Sequence, residues 1–569
     1  MIIDAFRGDY VTPIEQKLEI QLPGRWRRLN EDELKKQPLC NLCIGWKIDL
    51  DFGSVLCKGI DHFVVVVNSS FPHSQPRVLI PQAGINFMWP HVEDKGLLCL
   101  EATQLTGDPS ERILQHLNWA HELMNYDELK IRREFEREFS SYWIRFSQKN
   151  RRSSKILSLM NISGNSREVV YFSDIPNNRI IVADDADVLR KWLKNSNINS
   201  REKEFLPSWL TMLPKQWIPS EYPQIGSNLL KFIPAPVLRK ILIRGEQFPI
   251  FIGVGTPTGQ VFAAATLQCA KMRDLTKGFR SISQVPFERI KASFGSRPVL
   301  RCSVSRVDGR WVHGRDHDPT FSTMHAKSVA VVGCGALGSS IAKLLAQSGV
   351  GSFFLIDGDH LSPANVSRHE LGMQCVDKNK AEAMLAMLQQ DFPHLHSPKA
   401  YPKRFEFLTQ KERAEIANAD LIITAGIDLD SDVSLDNWRR TLSQPPAHLC
   451  TWVEAFAVVG HAVLLYGNDS LMSGFDDTER PSFRLTNWSE DSQQLIDEAG
   501  CGNAFQPHGV VDLHSTVTLA ARFAVDTLSG KIPSSCRRVW QGDLREVSKN
   551  GGVAMPNFSE SWVIKEFPW

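Results

Sequence analysis

SVAVVGCGALGSSIAKLLAQSGVGSFFLID, residues 328–357, fixes the fold class of the back half of the chain. Ser328 to Val332 is a short apolar strand that runs straight into Gly333, Gly335 and Gly338. Ile341, Leu344 and Leu345 then make a helical stripe that ends at Gly349, and Phe353 to Ile356 read as a second strand ending in Asp357. Glycines let the backbone approach a phosphate, and the helix N-terminus offers free amide donors with a partial positive charge. An acid closing the second strand is placed to accept hydrogen bonds from ribose hydroxyls. A nucleotide is therefore expected here, although the glycine pattern alone fits a nicotinamide or flavin site equally well and sometimes marks only tight packing.

The residues that follow separate these readings. Asp357, Asp359, Asn365, Arg368 and Lys380 bring two cations and an amide next to the phosphate region. A hydride-transfer enzyme has no use for that cluster, whereas adenylation of a carboxylate does, because charge builds on the α-phosphate and the departing pyrophosphate. The bland alternative is that Arg368 and Lys380 are ordinary solvated charges. The set resembles the ThiF/MoeB and ubiquitin-activating adenylation family, which implies ATP and Mg2+. By that resemblance Asp357 contacts ribose, Asn365 and Arg368 approach the phosphates and Lys380 meets the β- and γ-phosphates. Asp428, after the buried strand Leu421 to Thr424, resembles the family's magnesium-linked acid, with Asp430 and Asp432 close by. Arg315 resembles the family's arginine that reaches a partner subunit's nucleotide.

At the front, Thr12, Pro13 and Glu15 read as a helix start, and Leu42, Ile44, Trp46, Ile48, Leu50 and Phe52 alternate with polar residues as a half-buried strand. His62 to Val67 and Arg77 to Ile80 extend this into an antiparallel meander. Asp108 and Pro109 open a helix with Ile113, Leu117, Ala120 and Met124 on one face, and Ile131, Phe135, Phe139 and Tyr142 give a second. Between sheet and helices stand FPHSQPRV, residues 71–78, and WPHVEDKGLLCL, residues 89–100. These resemble the ubiquitin-conjugating domain, with its Pro-marked turn, HPN-like tripeptide and GxxCL. His91 stands eight positions before Cys99, where the family carries Asn. Imidazole can donate a hydrogen bond as an amide can, so the resemblance implies that His91 stabilises an oxyanion or orders the loop. Cys99 is the expected nucleophile, since a thioester keeps an acyl group activated for an amine, against the commoner fate of a free cysteine as a small buried apolar residue.

A polar stretch from Gly467 to Gln494 resembles the crossover loop of activating enzymes. Beyond it Cys501 lies between Gly500 and Gly502, ahead of a helix from about Asp512, and is the expected second acyl-carrying thiol. Cys334 lies inside the glycine loop and Cys450 in an apolar strand. Cys40 and Cys43 form a CxxC with no second pair at zinc-finger spacing.

The chain has 569 residues, so more than one domain is expected. The reading is an α/β multidomain chain: an N-terminal α+β ubiquitin-conjugating-like domain (1–147), a mixed linker domain of unread role (148–310) and a C-terminal Rossmann-like ThiF/MoeB-type adenylation domain (311–569). Lys and Arg total 65 against 64 Asp and Glu, which leaves no basic footprint for nucleic acid. Absence of a signal or of a long apolar run predicts a cytoplasmic location without a membrane span, and the 11 scattered cysteines fit reduced thiols. The whole most resembles the bacterial fused activating and conjugating enzymes of CBASS anti-phage systems. That resemblance implies a homodimer that takes the C-terminus of a modifier protein, a cGAS-like nucleotidyltransferase, onto Cys501, then Cys99, then a target amine. Sulfur-carrier activation and a non-catalytic scaffold are the alternatives.

Overall fold

The computed structural model describes residues 10–49, 60–81, 88–103, 107–145, 155–162, 164–199, 205–244, 247–257, 259–268, 270–488, 496–497, 504–505 and 507–569. The chain divides into two compact units. One comprises Met1–Leu157, Ile162–Ile180 and Leu206–Ser305, the other Ser158–Asn161, Ile181–Phe205 and Arg306–Trp569.

In the first unit the helix Val11–Gln21 buries Ile14 and Leu18. It begins one residue ahead of the expected Thr12. Four antiparallel strands follow in spatial order, Trp26–Arg28, Leu42–Asp49, His62–Asn68 and Arg77–Leu79. The alternation from Leu42 is realised as far as Asp49, with Ile44, Trp46 and Ile48 buried; Leu50 and Phe52 lie outside the described residues. Trp46, Phe63, Val65 and Val67 pack with Ile113, Leu117 and Met124 in one core, and each such side chain contributes roughly 1.5–3 kcal/mol of burial. Val64, Val66 and Leu79 cover the opposite face.

Asp108 caps the helix Pro109–Met124, its carboxylate accepting the Ser110 N–H at 2.9 Å. The second expected helix is two, Glu128–Arg137 and Phe139–Arg145. Glu138 leaves helical geometry between them (φ −101°, ψ 24°), so Phe139, Tyr142 and Trp143 turn into the core while Glu134 and Glu138 stay beside His91.

The middle of the chain, expected as a mixed linker domain, closes into a seven-stranded barrel. Its order is Gly259–Leu267, Leu300–Arg306, Lys155–Ser158, Arg179–Ala183, Arg167–Asp174, Leu206–Leu213 and Phe248–Thr256. One of these strands, Lys155–Ser158, lies just past the domain boundary expected at residue 147.

The second unit is built on an eight-stranded sheet. Its order is Lys399–Tyr401, Ser352–Ile356, Ser328–Val332, Leu421–Ala425, Ala447–Val453, Val459–Leu465, Cys536–Gln541 and Val563–Pro568. The first five are parallel and the last three antiparallel. Strand order reverses beside Ser328–Val332, the position at which doubly wound sheets open a crevice for ligands. Alternate residues of that strand serve two cores: Val329 and Val331 face Ile341 and Leu345 of the helix Ala336–Gln347, and Ala330 and Val332 face Phe405, Ile416 and Leu435. Among the described residues no helix is long and apolar enough to cross a membrane.

Two predictions follow from these contacts. A Cβ at Gly338 would stand 1.8 Å from the Gly333 carbonyl oxygen, a backbone atom that cannot swing away. Gly338→Ala is expected to cost about 2 kcal/mol or more, read as a lower midpoint of thermal unfolding. Elsewhere in this unit, His313, His325 and His394 cluster, with a His394 ring nitrogen 3.0 Å from His313 Nε2. Burial pushes all three imidazoles down, His394 to about 3. Their folded pKa values lie below the unfolded one, so their share of stability is complete above about pH 6.5 and declines as pH falls below it. Chemical denaturation at stepped pH should show that decline, and His394→Phe should flatten it.

Candidate active site

The strand Ser328–Val332 ends in a turn that only glycine accepts. Gly333 has φ +86°, and a Cβ on it would meet the Ala425 carbonyl oxygen at 2.8 Å. The helix Ala336–Gln347 then rises against this turn through Gly338, leaving a cleft of about 420 Å³ at the strand ends. Gly335 is ordinary extended backbone (φ −78°), and a Cβ on it would touch nothing within 4 Å. The helix therefore offers its N-terminal amides to open space, which is how an anion is received.

Asp357 stands at the end of the neighbouring strand and accepts two backbone amides, from Cys334 at 2.7 Å and from Asp359 at 2.8 Å. Burial pushes its carboxyl up, while those amides and the Lys380 ammonium favour the ionised form. Lys380 pairs with Asp359 at 3.1 Å and opens a helix capped by Asn379, whose amide group donates to the carbonyls of Asp357 and Asp359. On the opposite wall Asp428 caps the helix Leu429–Arg440 through the Ser431 N–H at 2.9 Å, and Arg404 donates to Asp428 at 2.6 Å and to the Ser431 hydroxyl at 2.8 Å.

The cleft thus brings together Gly333, Gly335, Asp357, Lys380 and Asp428. Gly338 lies beneath it as a packing contact. Asn365 and Arg368 stand outside its lining in this arrangement: the Asn365 carboxamide accepts the Ser362 N–H at 3.2 Å, and Arg368 donates to the Ala364 carbonyl at 3.0 Å. Arg315 has φ +51° and its N–H donates to the Trp311 carbonyl at 2.9 Å.

Arg404 and His369 are among the residues of this site that the sequence did not single out. Arg404 follows the short strand Lys399–Tyr401, which carries no motif. His369, next to the singled-out Arg368, accepts the Leu371 N–H on Nδ1 at 3.0 Å, so Nε2 carries the proton and donates to the Cys334 carbonyl at 2.6 Å. That bond braces the glycine turn. Cys334 itself is buried, and burial pushes its thiol well up, so it is no nucleophile.

In the first unit, Cys99 is exposed at the end of a loop held by backbone bonds. Its N–H donates to the His91 carbonyl at 2.7 Å, and the Leu98 N–H to the Val78 carbonyl at 2.9 Å. His91 has φ +58°, and its own N–H donates to the buried Tyr142 hydroxyl at 2.6 Å. Burial pushes that phenol up to about 12, keeping it neutral. The His91 ring lies between two carboxylates, with Nε2 3.1 Å from Glu134 and Nδ1 3.6 Å from Glu138. Both ring nitrogens are engaged by carboxylates, and the His91 backbone carbonyl accepts the Cys99 N–H. Cys501, the expected second thiol, lies outside the described residues.

Comparison with known proteins gives two family matches. The ThiF family model matches residues 317–456, and the Prokaryotic E2 family B model matches residues 53–151. The chain is 32% identical over 182 residues to an ATP-dependent ubiquitin transferase-like protein Cap2 of Pseudomonas aeruginosa (strain BWHPSA011 / Pa011), covering 31% of each chain. A protein of the same name from Enterobacter hormaechei subsp. hoffmannii (strain UCI 50) is 28% identical over 186 residues, covering 31% of this chain and 29% of its own. These matches span about three-tenths of the relatives' length. A crystal structure of E. coli MccB with MccA-N7isoASN aligns with 42% of this chain and 66% of its own at 13% identity and a TM-score of 0.30. The chain thus carries a Prokaryotic E2 family B match in front and a ThiF family match behind, and over part of its length it is similar to the Cap2 ubiquitin transferase-like proteins.

Proposed function

We propose that the chain uses ATP to activate the C-terminal carboxylate of a modifier protein and passes the acyl group through two cysteine thioesters to an amine on a target. The observation that carries this reading is the presence, in one chain, of a glycine-turn cleft lined by Lys380 and Arg404 and of an exposed Cys99 on a conjugating-type fold. ATP is a substrate here. Its phosphates fit the open amides beside Gly335, its ribose fits Asp357, and Asn365 and Arg368 keep their phosphate roles by resemblance. The lining carries four carboxylates, Asp357, Asp359, Glu406 and Asp428, against two cations, Lys380 and Arg404. A polyphosphate is therefore better received with a divalent cation. Asp428 would hold that Mg2+, which would supply charge neutralisation on the phosphates.

In the first step a carboxylate oxygen of the modifier attacks the α-phosphorus and pyrophosphate leaves, with the Lys380 ammonium holding the departing charge. The Cys501 thiolate next attacks the acyl carbon and AMP leaves. Cys99 then displaces Cys501 from the acyl carbon, and a target amine displaces Cys99 to form an amide. His91 and Tyr142 hold the Cys99 loop in place during the exchange. Joining both functions in one chain raises the effective concentration for the hand-over. The Cap2 relatives, called ATP-dependent ubiquitin transferase-like, favour the same chemistry. By resemblance the modifier is a cGAS-like nucleotidyltransferase, the setting CBASS anti-phage defence, and the working form a cytoplasmic homodimer.

Incubation with ATP and bacterial lysate, followed by mass spectrometry of thioester-linked species, tests the reading. Lys380→Ala is expected to lower ATP–pyrophosphate exchange by about 100-fold. Cys501→Ala should keep exchange and lose every thioester, and Cys99→Ala should lose the amide-linked conjugate. Undiminished exchange in Lys380→Ala, or undiminished conjugation in Cys99→Ala, would overturn the scheme.

A further inference from the structure

One turn along the helix Leu429–Arg440 from the cleft residue Asp428 stands Asp432, whose Oδ1 is buried and has no hydrogen-bond partner among the described residues. His448 and Cys450 face it from the strand Ala447–Val453. They are two residues apart, hence on one face of the sheet, and both are fully buried. One ligating atom from each of the three lies within 4.8 Å of the other two, and His448 Nε2 is 3.2 Å from Cys450 Sγ. Thr424, on the adjacent strand, places its hydroxyl 3.1 Å from the same nitrogen. The other imidazole nitrogen, Nδ1, is 3.8 Å from Asp436 Oδ1, and Asp436 is held by the fully buried Arg439 at 2.8 Å. None of these groups belongs to the chemistry described above.

A buried carboxylate oxygen without a donor is costly, and hydrogen bonds among the neighbours leave Asp432 Oδ1 unsatisfied. A divalent cation satisfies the whole set. One thiolate and one carboxylate neutralise its charge in a site shielded from water, and a neutral imidazole adds nitrogen. A carboxylate behind the imidazole is the outer support that orients histidine toward a metal. A sulfur, nitrogen and oxygen donor set suits a borderline-soft ion and not magnesium, which takes oxygen donors and keeps its water.

We propose that Asp432, His448 and Cys450 form a zinc-class transition-metal site, separate from the nucleotide cleft, which ties the first turns of the helix Leu429–Arg440 to the sheet. Binding forms a metal–sulfur bond and releases the Cys450 thiol proton to solvent. The ion would fix the helix end that presents Asp428 and Ser431 to Arg404. The site stands on its own geometry and does not depend on the adenylation reading.

The test is a titration of the full chain, stripped with a chelator, by Co2+ alone. One equivalent is expected to give a sulfur-to-cobalt charge-transfer band that Zn2+ abolishes. Cys450→Ser should remove the band, and the near-isosteric Asp432→Asn should weaken Co2+ binding by about tenfold or more. Cys40→Ser with Cys43→Ser should leave the band in place. Absence of a band at one equivalent, or a band that survives Cys450→Ser, would make the cluster a hydrogen-bonded network only. Should Cys450→Ser not fold, unchanged Co2+ affinity in Asp432→Asn overturns the proposal equally.

Discussion

The second unit depends on one close approach, that of the helix carrying Gly338 to the carbonyl oxygen of Gly333. Because that contact is between backbones, no rotamer change can relieve it, and glycine is the only residue that fits. It sets the height of the helix over the strand Ser328–Val332 and so decides where the helix amides point. Everything else in the cleft is arranged around those amides. Asp357 grips the turn from one side and His369 braces it from another.

Both candidate sites use buried or half-buried polar groups to hold backbone in place and leave few of them idle. Asp357 spends its two oxygens on amides, and Asn379 spends its carboxamide on carbonyls next to the acid that precedes it. At Cys99 the same logic runs through Tyr142 and His91, with Glu134 and Glu138 steadying the ring. In each case the reacting position is exposed, and the rigidity comes from the layer behind it. Asp432 departs from this economy, since one of its oxygens is buried with no partner among the described residues.

The sequence was most legible where one local signal determines structure. The strand, glycine turn and helix around Gly333 needed no distant information, and neither did the Asp108 cap or the alternation from Leu42, which is realised through Asp49 in the described residues. Arg404 and His369 were invisible because their importance comes from contacts made across the fold, to Asp428 and Ser431 in one case and to Cys334 in the other. The barrel was illegible for a related reason. Its strands pair in an order far from their order in the chain, so pieces such as Phe248–Thr256 show their strand character and not their partners. Periodicity ran Ile131 to Tyr142 into one helix because the apolar stripe continues through Glu138, where the backbone turns. Asn365 and Arg368 match a motif by spacing, yet their side chains are engaged locally.

The three glycines of the turn answer to different masters. Position 333 is bound by its backbone angle and position 338 by a neighbour's oxygen, so both belong to folding. Position 335 has an ordinary angle and empty space beside it, so only the guest of the cleft has a claim on it. A descendant that abandoned nucleotide chemistry could fill 335 with a small side chain and keep its shape, which makes that one position a record of whether the chemistry is still in use.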